Sequence, residues 1–228
     1  ACRFYLFKAE MIFSESDLLN FSEFSGDRNP LHLDPHYCRT TQFGERVVFG
    51  ILAVIKALEV CQGAKPRQLS KLKAHFKKPL FLDQDYKIKI TEAGPRTLIK
   101  YLKESNVQLS MIFEFSSESD LKVITSQLKF LGWCSYFVGM QKPGTQALFS
   151  TLNVEFDGSP VGNMKAPNVF FDPRFNQFHL TGQSKGIANF EITAYHRPEP
   201  IKLNIQTAKT ELKPSELFKG KNVLITGS

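Results

Sequence analysis

Apolar and polar positions along the chain fall into helical and alternating segments that occur twice in the same order. From Arg3 to Phe13 an extended apolar segment leads to Ser14, which can N-cap a short helix through Glu15, Asp17, Leu18 and Phe21; an acidic first turn suits the helix dipole. Pro30 and Pro35 then forbid a continuous helix from Asp27 to His36, so that passage is predicted to be an irregular loop. After Gly50, the residues Ile51, Leu52, Val54, Ile55, Leu58 and Val60 are interrupted only by Lys56 and Glu59. Their stripe covers most of the circumference, which predicts a buried helix. The next segment alternates, with Leu72, Ala74 and Phe76 facing one way and Lys71, Lys73, His75 and Lys77 the other, as in a strand with a basic outer face. Pro79 ends it, and further strands are expected around Ile88 and Ile90, from Thr97 to Leu102 and from Val107 to Phe115.

The second round begins with Leu131 to Met140, a nearly all-apolar helical segment containing Trp133, Phe137 and Val138. Strands are expected at Ala147 to Phe156, Gln177 to Thr181, Ile187 to Tyr195 and Leu203 to Gln206. Helix followed by strands thus occurs twice, and an internal structural duplication explains it economically. The second round lacks the polar passage found in the first. From Pro214 the pattern changes again: KGKNVLITGS reads as a basic lead-in, a short apolar strand and a Thr-Gly-Ser turn. That is how a nucleotide-binding βαβ unit opens, so a segment cut from a longer protein competes with a plain C-terminal strand.

Composition adds bounds rather than chemistry. A chain of 228 residues, 42% apolar, can bury a sizeable core as one large domain or two modest ones. The formal charge of +7 suits an acidic partner, although a scattered positive surface needs none. Cys2, Cys38, Cys61 and Cys134 lie far apart with no CxxC pairing, which argues against a zinc site or disulfide scaffold and for a reducing, cytoplasmic setting. No apolar run reaches membrane-spanning length.

The chemistry is concentrated in FSGDRNPLHLDPHYCRTTQFGERVVFG, from Phe24 to Gly50. Asp27 and Asn29 can be simple turn formers, because short polar side chains bond their own backbone and precede proline readily. His32 at a fixed distance from Asp27, ahead of VVFG and a buried helix, reads instead as part of a site. His32, Asp34 and His36 also form an H-x-D-x-H pattern that invites a metal, but Pro35 interrupts the strand it would need; no metal is expected.

GDRNPLHLDP followed by VVFG and a buried helix resembles the MaoC-like (R)-specific enoyl thioester hydratases and dehydratases, and HFKKPLFLDQDYKIKI is similar to that family's strand after the helix. The resemblance covers about Phe13 to Ile90, and NVLITGS is similar to the first strand of short-chain dehydrogenases. What this implies is an α+β double hot-dog, two antiparallel sheets each wrapped around a central helix. The N-terminal hot-dog would span residues 1–115 and carry the site, and a degenerate repeat 116–212. Residues 213–228 would be a linker and the opening strand of a dehydrogenase-like domain, the only part to call for NAD(P).

The implied reaction is reversible hydration of a trans-2-enoyl thioester to an (R)-3-hydroxyacyl thioester. It needs a base for the attacking water, an acid for the α carbon and donors for the enolate-like oxygen. By resemblance, Asp27 and His32 hold and activate the water, the Gly50 amide contacts the thioester oxygen, and Asn29 supports the pair. No cofactor is implied for this step. The acyl group would arrive on coenzyme A or on the phosphopantetheine arm of an acidic acyl carrier protein, with no nucleic acid or membrane partner, in a monomer or a homodimer. Lys71, Lys73 and Lys77 are either a solvated strand face or a phosphate-binding rim. The family usually has a histidine just before the glycine, where this chain has Phe49. A silent acyl-thioester binding module and a hot-dog thioesterase are the other expectations, since one fold hosts several functions.

Overall fold

The computed structural model describes residues 6–62, 66–117 and 120–199. The expected strand at Leu203 to Gln206 and the dehydrogenase-like segment 213–228 lie outside the described residues.

Strand β1 (Leu6–Met11) leads into α1 (Glu15–Ser25), and the cap between them forms as the sequence reads. The Ser14 amide donates to the Asp17 carboxylate at 2.9 Å while the Asp17 amide donates back to Ser14 Oγ at 3.3 Å, a reciprocal capping box. Gly26, at φ 76°, ends the helix in the left-handed region where only glycine is unstrained. The polar passage holds no continuous helix, as expected, but it is not an irregular loop, because each proline begins a short helix. Helix α2 (Pro30–Leu33) is capped by Asn29 and α3 (Pro35–Arg39) by Asp34, each with proline in the first turn, where a missing N–H costs nothing.

Helix α4 (Gly50–Gln62) buries Ile51, Leu52, Ala53, Val54, Ala57 and Leu58. Strands β2 (Leu69–Phe76), β3 (Tyr86–Ala93), β4 (Arg96–Lys103) and β5 (Asn106–Phe115) wrap it, and Tyr101 on β4 donates its hydroxyl to the Ala53 carbonyl in the helix at 3.1 Å. The second helix, α5 (Leu121–Tyr136), starts ten residues before the expected one and continues through a π-helical turn, Phe137–Gln141. Strands β6 (Ala147–Phe156), β7 (Asn168–Asp172), β8 (Gln177–Ser184) and β9 (Ile187–His196) complete the described chain.

The nine strands of the described residues form one antiparallel sheet in the order β1-β3-β4-β5-β2-β6-β9-β8-β7. The architecture is α+β, and the two expected sheets are continuous. Each helix is followed by the strand at the centre of the sheet, β2 after α4 and β6 after α5. These two strands pair with one another, from Lys71 opposite Glu155 to His75 opposite Thr151. One core crosses that joint: Leu72 and Ala74 of β2, Leu152 and Val154 of β6, α4, and Phe130, Leu131 and Cys134 of α5 belong to a single buried cluster.

Candidate active site

Asp27, the first residue after the α1 cap, is 2% exposed, and its surroundings hold it from both ends of the chain. Its backbone is pinned where its amide donates to Ser25 Oγ at 3.1 Å and its carbonyl accepts from Ser22 Oγ at 2.8 Å. Its carboxylate accepts the Asn29 amide on Oδ1 at 3.0 Å and the Ser135 hydroxyl of α5 on Oδ2 at 2.7 Å. Each oxygen keeps a free lone pair for a further donor. The π-helical turn presses Gly139 against the same carboxylate: a Cβ there would lie 2.6 Å from both oxygens, so no larger residue fits. Asn29, 1% exposed, spends its side-chain oxygen on the Leu31 amide at 3.0 Å as the cap of α2.

His32 lies on α2, half-buried, with Nδ1 2.6 Å from the Val47 carbonyl oxygen. A carbonyl can only accept, so Nδ1 carries the proton, and in the neutral ring Nε2 is the free base. Burial holds the imidazole below its ordinary pKa, and the Arg197 charge pushes the same way; the Asp27 charge and the Val47 hydrogen bond oppose them without overcoming them. Phe49, in the place where the resembled family usually has histidine, is the floor beneath this ring. The two centroids are 3.9 Å apart at an interplanar angle of 31°, and Phe49 is itself backed by Phe21 at 4.9 Å.

Gly50 begins α4, where the first amides of a helix have no internal partner and carry the positive end of its dipole. No acceptor among the described residues takes its N–H. A Cβ at this position would meet the Phe76 ring at 2.8 Å, so glycine lets the end of β2 close over the helix start.

Asp27, Asn29, His32 and Gly50 share one cavity of about 320 Å³. Its wall is mostly carbon, with Val48, Phe76 and Leu109 from the first half and Val138, Leu148 and Phe149 from the second; Ser135, Gly139, Ala147 and Tyr195 complete the second half's contribution. The second half has no such motif of its own, yet it walls the cavity and braces the aspartate.

The lysines divide. Lys77 lines the cavity together with Lys78, which the sequence did not single out. The alternation of β2 breaks there, because both amides turn to the Gln108 carbonyl, at 2.9 and 3.0 Å. Lys71 instead pairs with Glu155 across the β2–β6 joint, and Lys73 is exposed on that strand, so neither belongs to the cavity rim. The H-x-D-x-H pattern dissolves as well: Asp34 Oδ1 accepts the His36 and Tyr37 amides at 2.8 and 3.1 Å as the α3 cap, and His36 is exposed. Cys38 donates its thiol to the Leu31 carbonyl at 3.1 Å, tying α3 to α2, with its pKa pushed up to about 11 by burial and by Asp34.

A buried helix start facing an aspartate and a neutral histidine across an apolar cavity, on an antiparallel sheet, defines a class that comparison with known proteins makes specific. Residues 3–112 match the family model described as MaoC like domain. A 38-residue stretch is 47% identical to the 3-hydroxybutyryl-CoA dehydratase of Methylorubrum extorquens; it covers 17% of this chain and 24% of that protein, so the match spans about a quarter of the curated relative's length. Among solved structures, a MaoC-like dehydratase superposes with a TM-score of 0.58 over 85% of this chain and 98% of its own, at 8% identity. The MaoC-like dehydratase from Phytophthora capsici superposes with a TM-score of 0.52 over 88% of this chain and 97% of its own, at 10% identity. At such identities the likeness concerns the fold, and it extends over both halves. Residues 3–112 are thus similar to a MaoC like domain, and the fold is of the hot-dog type.

Proposed function

We propose that this chain catalyses the reversible hydration of trans-2-enoyl thioesters to (R)-3-hydroxyacyl thioesters, with Asp27 and His32 handling the water and the Gly50 amide receiving charge on the thioester oxygen. The observation that carries this reading is that all three line one cavity of about 320 Å³ with a mostly apolar wall. In the hydration direction a water sits between the Asp27 carboxylate and His32 Nε2. His32 takes one of its protons as the oxygen bonds to the β carbon, and Asp27 accepts a hydrogen bond from the remaining O–H. The electron pair of the double bond moves toward the thioester oxygen, where the Gly50 N–H and the α4 dipole favour the developing negative charge. The proton on Nε2 then passes to the α carbon, so the elements of water end on the substrate and the protein returns to its starting state. Dehydration runs the same steps backwards.

The carbon-lined wall suits an acyl chain. Lys77 and Lys78 on that wall offer positive charge to the phosphates of coenzyme A or of a phosphopantetheine arm. The duplicated helix-and-strand order suits a double hot-dog in which the first repeat, within residues 1–115, keeps the reacting groups and the second, from 116 onward, braces them. No cofactor takes part in these steps.

The test is to follow crotonyl-CoA with the purified chain while measuring both water addition and free thiol. Hydration to the (R)-3-hydroxy product without thiol release is the expected result. Thiol release would replace the reading with a thioesterase, and tight acyl-CoA binding without turnover would replace it with a silent binding module.

A further inference from the structure

Arg197 follows β9 at the far end of the described chain and is only 4% exposed. Its Nη2 donates to the Tyr37 hydroxyl at 2.8 Å and to the Thr145 carbonyl at 3.0 Å, and its guanidinium carbon lies 5.5 Å from the centre of the Tyr37 ring. Its amide donates to the Gln146 carbonyl at 2.9 Å, and the Gln146 side-chain amide reaches the same Tyr37 hydroxyl at 3.2 Å. Among the described residues no carboxylate pairs with it, and its fully enclosed Nε finds no partner. A buried cation without a counter-ion is costly, and a neutral side chain could hold Tyr37 more cheaply.

Tyr37 belongs to α3, which is tied to α2 by the Cys38 thiol, and α2 carries His32. The chain of contacts therefore runs from the second half, through Tyr37 and Cys38, to the histidine. We infer that Arg197 is a positioning residue for this site: it clamps the α2–α3 pair, and His32 with it, against the β6 and β9 ends. The inference rests on the proposed hydratase reading for its catalytic consequence, but not for its electrostatic one.

Charged groups face His32 from two directions. Asp27, from the loop after α1, favours the imidazolium, and Arg197, from the end of β9, opposes it. The Phe49 ring covers one face, Val47 presents its carbonyl, and Lys77 and Lys78 stand on the wall of the same cavity. Arg197 thus offsets Asp27 and helps keep Nε2 a free base when the pH falls.

The experiment compares the parent with Arg197→Gln and Arg197→Lys. His32 is titrated through its imidazole NMR signals, and kcat and KM are measured against pH with crotonyl-CoA. In Arg197→Gln the His32 titration and the acid limb of kcat/KM should both move to higher pH, with kcat falling about tenfold and KM within about twofold of the parent. Arg197→Lys should restore the titration. A folded Arg197→Gln protein whose His32 titration and kcat match the parent would overturn the inference. If Arg197→Gln does not fold, Tyr37→Phe removes the same hydrogen bond without touching the charge; a several-fold loss of kcat is then expected, and an unchanged kcat overturns the proposal. A parent that titrates as described but never hydrates crotonyl-CoA defeats the hydratase reading alone.

Discussion

A carboxylate this enclosed depends on what surrounds it, and half of that surrounding comes from more than a hundred residues away. Asp27, Asn29 and His32 were legible because they sit together in a short polar passage. Ser135, Gly139 and Arg197 were not, since a lone serine in an apolar helix, a helical glycine and a late arginine carry no local signal of the partner they meet. Removing the Ser135 hydroxyl leaves Asp27 Oδ2 without its 2.7 Å donor. Ser135→Ala should lower kcat for hydration by about tenfold, the worth of one hydrogen bond to a charged group, with the fold retained by circular dichroism. His32 also links the site to stability. Its folded pKa lies below the ordinary value of about 6.5. As pH falls, the unfolded chain therefore takes up the proton first. The contribution of neutral His32 to stability is full above about pH 6.5 and is lost as pH drops through the lower folded value. Denaturant midpoints measured from pH 7.5 downward should accordingly fall less steeply in His32→Gln than in the parent.

Among the elements, the strands that alternate and the helix after Gly50 were read correctly, while four others were missed in whole or in part, for three reasons. Helices α2 and α3 escape a sequence reading because Pro30 and Pro35 forbid one continuous helix while leaving room for two short ones. With Asn29 and Asp34 capping, each proline occupies a position where it favours the helix. The first ten residues of α5 were missed because their buried face includes Gln127, a residue the hydropathy pattern counts as polar. Gln127 is 3% exposed because it completes a two-way bond with β2, accepting the Leu69 amide at 2.9 Å and donating to the Leu69 carbonyl at 2.8 Å. Gln127→Ala should therefore destabilise the protein by about 2 kcal/mol, far more than an exposed helical glutamine, because both backbone groups lose their partner. A change below a few tenths would show that water replaces them. Strand β7 was missed because it sits at the sheet edge with Val169, Phe170 and Phe171 exposed, so no inward and outward alternation marks it.

For the molecule as a whole, the repeated order of helix and strands was visible in the sequence, but the joint between the two halves was not, because strand pairing across β2 and β6 leaves no trace in either segment alone. The joint makes the halves one body: a single buried cluster includes Leu72 on one side and Leu152 on the other. Thermal unfolding of the chain should give one cooperative transition by both fluorescence and circular dichroism, and two separable transitions would contradict a shared core. Leu152→Ala should cost about 2–5 kcal/mol at that joint. It should also reduce hydration, since β6 carries Leu148 and Phe149 of the cavity wall.

The central claim is that Asp27 and His32 act together on water in a cavity built by both halves. Its most direct test is kcat/KM for crotonyl-CoA hydration in the parent, Asp27→Asn and His32→Ala, with circular dichroism confirming that each variant is folded. Each substitution should reduce the value by about 10² to 10⁴-fold, the range for losing a positioned acid or base. Folded variants that hydrate crotonyl-CoA within about threefold of an active parent would contradict it.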